Sequence, residues 1–168
     1  MAKTSYAVAL GSNRRHGRHG GPARVVAAAV GALAEVAEVV ALSTIRATPA
    51  MGPAGRGFAN AAALLASELE PPELLACLKR IERSFGRRPG RRWGPRVLDL
   101  DIVLWSEGPW GGAGLIVPHP AFRERAFVLE PLADIVPGWR DPLTGATVRQ
   151  LLHRLRAPRP VDPAPRPS

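Results

Sequence analysis

An α+β fold, with two helices laid on one face of an antiparallel sheet, is what the chain predicts. Three observations carry that expectation. Short apolar or alternating runs interleave with two stretches of helical periodicity, in the order strand, helix, strand, strand, helix, strand. The breaks between them fall at Gly and Pro, the residues that punctuate secondary structure. The length, 168 residues, with 46% apolar and 22% charged residues, suits one globular domain with a sizeable core and excludes a disordered or membrane-embedded chain.

Residues 5–10 (SYAVAL) form a short apolar run ended by Gly11, Ser12 and Asn13, which reads as a buried strand entering a loop. The loop through Gly21 is polar and basic, and Pro22 suits a first helical turn. Val26, Ala29, Val30, Leu33 and Val36 or Ala37 then recur at helical spacing, so the first helix covers 22–37. Residues 39–47 (VVALSTIRA) are β-branched and roughly alternating, and 58–67 can pair with them. Between the two lies TPAMGPAGRG, with two prolines and three glycines, too long for a tight hairpin turn and suited to a lid or binding loop. Pro71 and Pro72 open a second helix in which Leu74, Leu78, Ile81 and Phe85 form one stripe, with Gly86 as the stop. Residues 97–104 (VLDLDIVL) alternate strictly and read as a strand. This β-α-β-β-α-β order is the ferredoxin-like arrangement. A C-terminal extension follows: a Gly/Trp loop over 105–114, a short LIV strand, small helical pieces and a last helix around 147–156. One domain spans 1–156, and 157–168, with five prolines in twelve residues, reads as a disordered tail.

The charge balance, 23 basic against 14 acidic residues, gives +9 and favours phosphate-bearing partners. Only Lys3 and Lys79 are lysines, and a GC-rich genome accounts for much of the arginine total, so position is more informative than number. Residues 79–96 hold Lys79, Arg80, Arg83, Arg87, Arg88, Arg91, Arg92 and Arg96 against Glu82 alone, so +7 of the +9 lies in 18 residues. Cys77 is the only cysteine, which excludes an internal disulfide or a multi-cysteine metal site and fits a reducing cytoplasm. Arg14-Arg15 ahead of the apolar run 25–34 imitates an export signal, but a strand-like segment precedes it and the run continues as an amphipathic helix. No stretch approaches the roughly 20 apolar residues of a membrane span.

Asp99 and Asp101 stand two apart on the last predicted strand, so both point to one face while Leu98, Leu100, Ile102 and Leu104 take the other. Two such carboxylates can each ligate Mg²⁺, and a pair of ions can grip a polyphosphate. Taken alone, Asp-x-Asp describes a solvated strand face equally well. Here it follows an eight-cation segment, and the two features together suit a shared anionic ligand that neutralises both. The charges agree: ATP at about -4, two Mg²⁺ at about +4 and two aspartates at -2 still call for nearby arginines. No Walker A or G-x-G-x-x-G sequence is present, which removes the familiar nucleotide folds. His16 and His19 read as part of a polar loop, and His119 reads equally as a ligand-contacting or a capping residue. A nucleic-acid-binding protein using the basic segment with Trp93 and Trp110, or a nuclease using the aspartates, is the rival reading; its weakness is that the cations flank a carboxylate pair and do not spread over a face.

The string RWGPRVLDLDI at 92–102 resembles the signature of the 6-hydroxymethyl-7,8-dihydropterin pyrophosphokinases of folate biosynthesis. Gly11-Ser12-Asn13, the stretch from Thr48-Pro49 to Asn60, and VPHPAFRERAFVLEPL at 117–132 occur in that family's order and spacing, so the resemblance covers about residues 6–135. It implies a ferredoxin-like core and transfer of the β,γ-pyrophosphate of ATP to the hydroxymethyl group of the reduced pterin, releasing AMP. By that resemblance Asp99 and Asp101 hold two Mg²⁺, and Arg87 and Arg96 are catalytic loop arginines on the nucleotide phosphates. His119 and Arg125 match a second phosphate-contacting cluster, and Lys79, Glu82, Arg88, Arg91 and Ile102 join the ATP site. Thr48, Pro49, Met51, Phe58, Asn60 and Phe127 fall where the family lines its pterin pocket, with Trp93 in the loop over the site. The partners implied are small molecules, without nucleic acid or membrane, and the protein is expected to be a cytoplasmic monomer.

Overall fold

The computed structural model describes residues 2–13, 20–48, 57–86, 97–112 and 114–158. Five strands build the main sheet: β1 (Thr4–Ser12), β2 (Glu38–Leu42), β3 (Arg46–Thr48), β4 (Phe58–Ser67) and β5 (Asp99–Trp105). Helix α1 (Pro22–Val36) follows β1 and helix α2 (Pro71–Gly86) follows β4. The spatial order is β2-β4-β1-β5, every pairing antiparallel, with β3 also on β4. Counting β2 and β3 as one interrupted edge, this is the ferredoxin-like order that the sequence predicts.

The central strand β1 is apolar on both faces, and that dictates two helical layers. Tyr6, Val8 and Leu10 join Leu65, Leu98, Leu100 and Ile102 under α1 and α2. The helices meet them with Val25, Val26, Ala29 and Leu33 from α1 and Leu74, Leu78, Ile81 and Phe85 from α2. The α2 stripe is the one its spacing predicts. On the opposite face Ala7, Ala62, Val103 and Leu104 are covered by α3 (Ala126–Ile135) and α4 (Val148–Arg156). The C-terminal extension is therefore a second layer, so helices lie on both faces of the sheet and not on one. Without it, an apolar sheet surface would face water.

Several local expectations are corrected. Residues 39–47 do not form one strand, because Ser43 takes over the pairing with its side chain: its N–H donates to the Ala62 carbonyl (2.9 Å) and its Oγ accepts from the Ala62 N–H (2.8 Å). The register of β1 on β5 shifts between Ala7 and Val8, and this bulge breaks the strict alternation expected of 97–104. As a result Leu104 joins Val103 in the second core, away from Leu98, Leu100 and Ile102. The Gly/Trp loop contains a strand of its own, β6 (Trp110–Gly112), which pairs with β7 (Leu115–Val117), the expected LIV strand. Gly86 ends α2 as expected, for a reason of space: a Cβ there would lie 2.6 Å from Val97 Cγ2. The tail beyond residue 158 lies outside the described residues.

Candidate active site

Helices α3 and α4 cover only part of the second face, and the uncovered part is a cavity of about 700 Å³. Its floor is a row across the sheet in which Asn60 of β4, Gly11 of β1 and Asp99 of β5 are neighbours, with Ala9 and Asp101 in the next row. Gly11 brings no side chain between the amide and the carboxylate, and a Cβ there would stand 3.1 Å from Asn60 Oδ1. Thr48 and Phe58, paired across β3 and β4, form one wall, while Arg125, Phe127 and Val128 from the start of α3 form another. Phe58 and Phe127 are each about half exposed (50% and 51%), so the cavity keeps two aromatic rings in contact with water.

Seven residues that the sequence singles out, Thr48, Phe58, Asn60, Asp99, Asp101, Arg125 and Phe127, thus line one space although they come from four segments. The Arg125 guanidinium lies 5.7 Å from the Phe127 ring centroid, a cation–π distance. His119 does not line the cavity; it follows the cis Val117–Pro118 bond, and its Nδ1 accepts from the Ala121 N–H (3.2 Å), a capping role. Lys79 and Glu82 lie on α2 and pair with one another (3.0 Å), and Ile102 is buried in the core under α1 and α2. Pro49, Met51, Arg87, Arg88, Arg91, Trp93 and Arg96, with His16 and His19, lie outside the described residues.

Two features escape the sequence reading. Gly11 and Ala9 act by being small, and the signal was present as Ala7, Ala9 and Gly11 at every second position of β1. Arg46 fixes β3 against α3: Nη1 and Nη2 donate to the two oxygens of Asp134 (2.7 and 3.0 Å) and Nε lies 3.7 Å from Glu130. The hydrogen bonds from Arg46 hold the Asp134 carboxyl below its ordinary value. Glu130 is also bridged by Arg156 of α4 (3.1 Å), so the edge strand that carries Thr48 is tied to both helices of the second layer.

Asp99 and Asp101 offer hard oxygen donors on one face of one strand, the donor type that Mg²⁺ prefers. Among the described residues no group of three or more His, Cys, Asp or Glu comes together. Two carboxylates leave most of an octahedral shell open, which fits an ion held jointly by protein and a phosphate-bearing substrate. No helix of the described residues is long and apolar enough to cross a membrane.

The wild-type HPPK-DHPS of Plasmodium falciparum has a similar fold, with a TM-score of 0.64 at 12% identity over 90% of this chain, which spans 44% of that one. In sequence, the chain is 41% identical over 149 residues to the 2-amino-4-hydroxy-6-hydroxymethyldihydropteridine pyrophosphokinase of Methylorubrum extorquens, covering 87% of this chain and 90% of that protein. The enzyme of the same name from Pseudomonas aeruginosa is 42% identical over 138 residues, covering 80% and 82% of the two chains. The family model for 7,8-dihydro-6-hydroxymethylpterin-pyrophosphokinase matches residues 7–137, a span that holds the whole floor and both walls of the cavity, and the chain belongs to that family.

Proposed function

We propose that this chain transfers the β,γ-pyrophosphoryl group of ATP to the hydroxymethyl group of 6-hydroxymethyl-7,8-dihydropterin, releasing AMP, in folate biosynthesis. The observation that carries the reading is the meeting, in one cavity, of two half-exposed aromatic rings, an amide and two carboxylates. A flat heterocycle lying against Phe58 and Phe127 removes apolar ring surface from water. The Asn60 amide presents both a donor and an acceptor to the ring edge, and Thr48 adds a hydroxyl. Pro49, Met51 and Trp93 complete the pterin pocket in this reading.

Asp99 and Asp101 would hold two Mg²⁺ ions with oxygens of ATP completing their shells; when bound, the ions neutralise charge on the transferring group. The chain's own cations do the rest of the positioning. Arg125 and His119, with Arg87, Arg88, Arg91 and Arg96, contact the phosphates, and Lys79 and Glu82 mark the nucleoside end, with the Ile102 side chain behind it in the core. With Nδ1 of His119 engaged by Ala121, Nε2 is the nitrogen left to meet a phosphate oxygen. The hydroxymethyl oxygen attacks the β-phosphorus, the bond from that phosphorus to the α,β-bridging oxygen breaks, AMP leaves with that oxygen, and the hydroxyl proton is released. Exclusion of water from the cavity protects the group in transfer from hydrolysis. A cytoplasmic monomer acting on small molecules belongs to the same proposal. Incubation with ATP, Mg²⁺ and the reduced pterin tests it: AMP as the nucleotide product is expected, and ADP or no turnover refutes the reading.

A further inference from the structure

We infer that Arg123 and Asp141, which lie outside the cavity, are a positioning pair for Arg125, fixing the segment from which Arg125 reaches the phosphates; this rests on the proposed role of Arg125. Asp141 is fully buried, and its two oxygens accept from Nε and Nη2 of Arg123, the second at 2.7 Å. The same carboxylate accepts from the Leu143 N–H (3.0 Å) and the Thr144 hydroxyl (2.7 Å), so it is held rigidly by its own turn. The Arg123 guanidinium also lies over the Phe122 ring, 4.8 Å from its centroid. Arg123 is the middle residue of a 3-10 turn, Phe122–Glu124, and Arg125 both ends that turn and precedes the first residue of α3. The other end of the segment is fixed where the His119 N–H donates to the Val103 carbonyl of β5 (3.1 Å). A bidentate guanidinium–carboxylate fork fixes direction as well as distance. Releasing it leaves the approach to Arg125 held only by the buried Phe122 and the His119 hydrogen bond further up the chain, and small displacements of a positioned charge are costly in rate.

A double-mutant cycle on the full chain, read as kcat/KM for ATP at saturating pterin and Mg²⁺, tests the inference. Asp141→Asn is expected to lower kcat/KM about tenfold when Arg125 is present and less than about twofold in the Arg125→Ala background, as for groups acting through one another. KM for the pterin stays unchanged in both. Should Asp141→Asn not fold, Arg123→Lys, which keeps the charge and loses the fork, takes its place in the cycle. Arg140→Ala removes the hydrogen bond from Arg140 Nη1 to the Gly145 carbonyl (2.7 Å) and loosens the same turn without touching the Asp141 carboxylate, so it should lower Tm and leave kcat/KM for ATP intact. Additive losses, or an equal loss in Arg140→Ala at the same drop in Tm, overturn the inference while the role of Arg125 stands. An Arg125→Ala enzyme with undiminished kcat/KM overturns the role of Arg125 and the inference together.

Discussion

Replacing Gly11 with alanine should make the protein more stable and a poorer pterin binder, and the opposition of sign makes the test sharp. Gly11 lies within β1, paired to Asn60 on one side and Asp99 on the other, and is not among the glycines with positive φ. Its backbone therefore accepts alanine, and the lost glycine entropy alone is worth about 0.5–1 kcal/mol in favour of the variant. Against this, the new Cβ would stand 3.1 Å from Asn60 Oδ1, closer than an ordinary van der Waals contact, so the amide must retreat by a few tenths of an ångström. The retreat lengthens whatever hydrogen bonds Asn60 makes to the pterin and leaves a methyl group on the cavity floor. Loss of one such bond with a buried partner costs about 1–2 kcal/mol, or roughly five- to thirtyfold in affinity. Calorimetric titration of the pterin, run beside thermal melting, reads both quantities on the same sample. A modest rise in Tm with weakened pterin binding is expected. A fall in Tm of several degrees with pterin affinity intact would refute the reasoning, because Gly11 would then serve the fold and not the floor.

The other predictions are briefer. Asp99→Asn and Asp101→Asn should fold normally and lose nearly all turnover at saturating Mg²⁺, and wild-type rates in either would remove the metal assignment. Asn60→Ala should weaken pterin binding by about 1–3 kcal/mol and leave ATP binding nearly unchanged, by calorimetry with each ligand in turn. Gly86→Ala places its Cβ 2.6 Å from Val97 Cγ2, and such overpacking should lower stability by about 1–3 kcal/mol in denaturant melts. Acid should destabilise the fold through Asp141, whose carboxyl is pulled down to about 2, chiefly by hydrogen bonds from Arg123. A carboxyl lowered in the folded state stabilises above its unfolded value of 3.8 and loses that contribution as pH falls toward 2; on the order of 2 kcal/mol is at stake, and Asp141→Asn should flatten the decline.

The parts of the fold that are legible in the sequence are those where a single element carries its own signal. Helix α2 is the clearest case, with Pro71 at its start, one apolar stripe and Gly86 at its end. Illegible features depend on partners elsewhere in the chain. Nothing local marks Ser43 as the point where the edge strand breaks, because the break arises from its two hydrogen bonds to Ala62, nineteen residues away. The bulge at Val103 likewise exists only against β1. Strand β6, three residues with two glycines, carries almost no strand propensity and forms because β7 lies beside it. Helix α3 was obscured by Pro131 in its interior, a residue usually read as a helix break.

For the site, residue type was legible and exposure was not. Asp99 and Asp101 share a face by simple alternation, yet alternation alone cannot distinguish a wet strand from the floor of a cavity. The distinction lies across the strands. Three successive rows on the second face of the sheet read Leu64–Ala7–Leu104, then Ala62–Ala9–Asp101, then Asn60–Gly11–Asp99. The first is wholly apolar, the second has one charge, and the third has no apolar side chain larger than a hydrogen atom. Helices that cover this face gain from burying the first row and would lose hydration of two polar groups by burying the third. Coverage therefore stops between them, and the bulge sharpens the step by turning Leu104 onto this face beside Val103. The cavity is the part of the sheet that its own cross-strand composition keeps the second helical layer from closing.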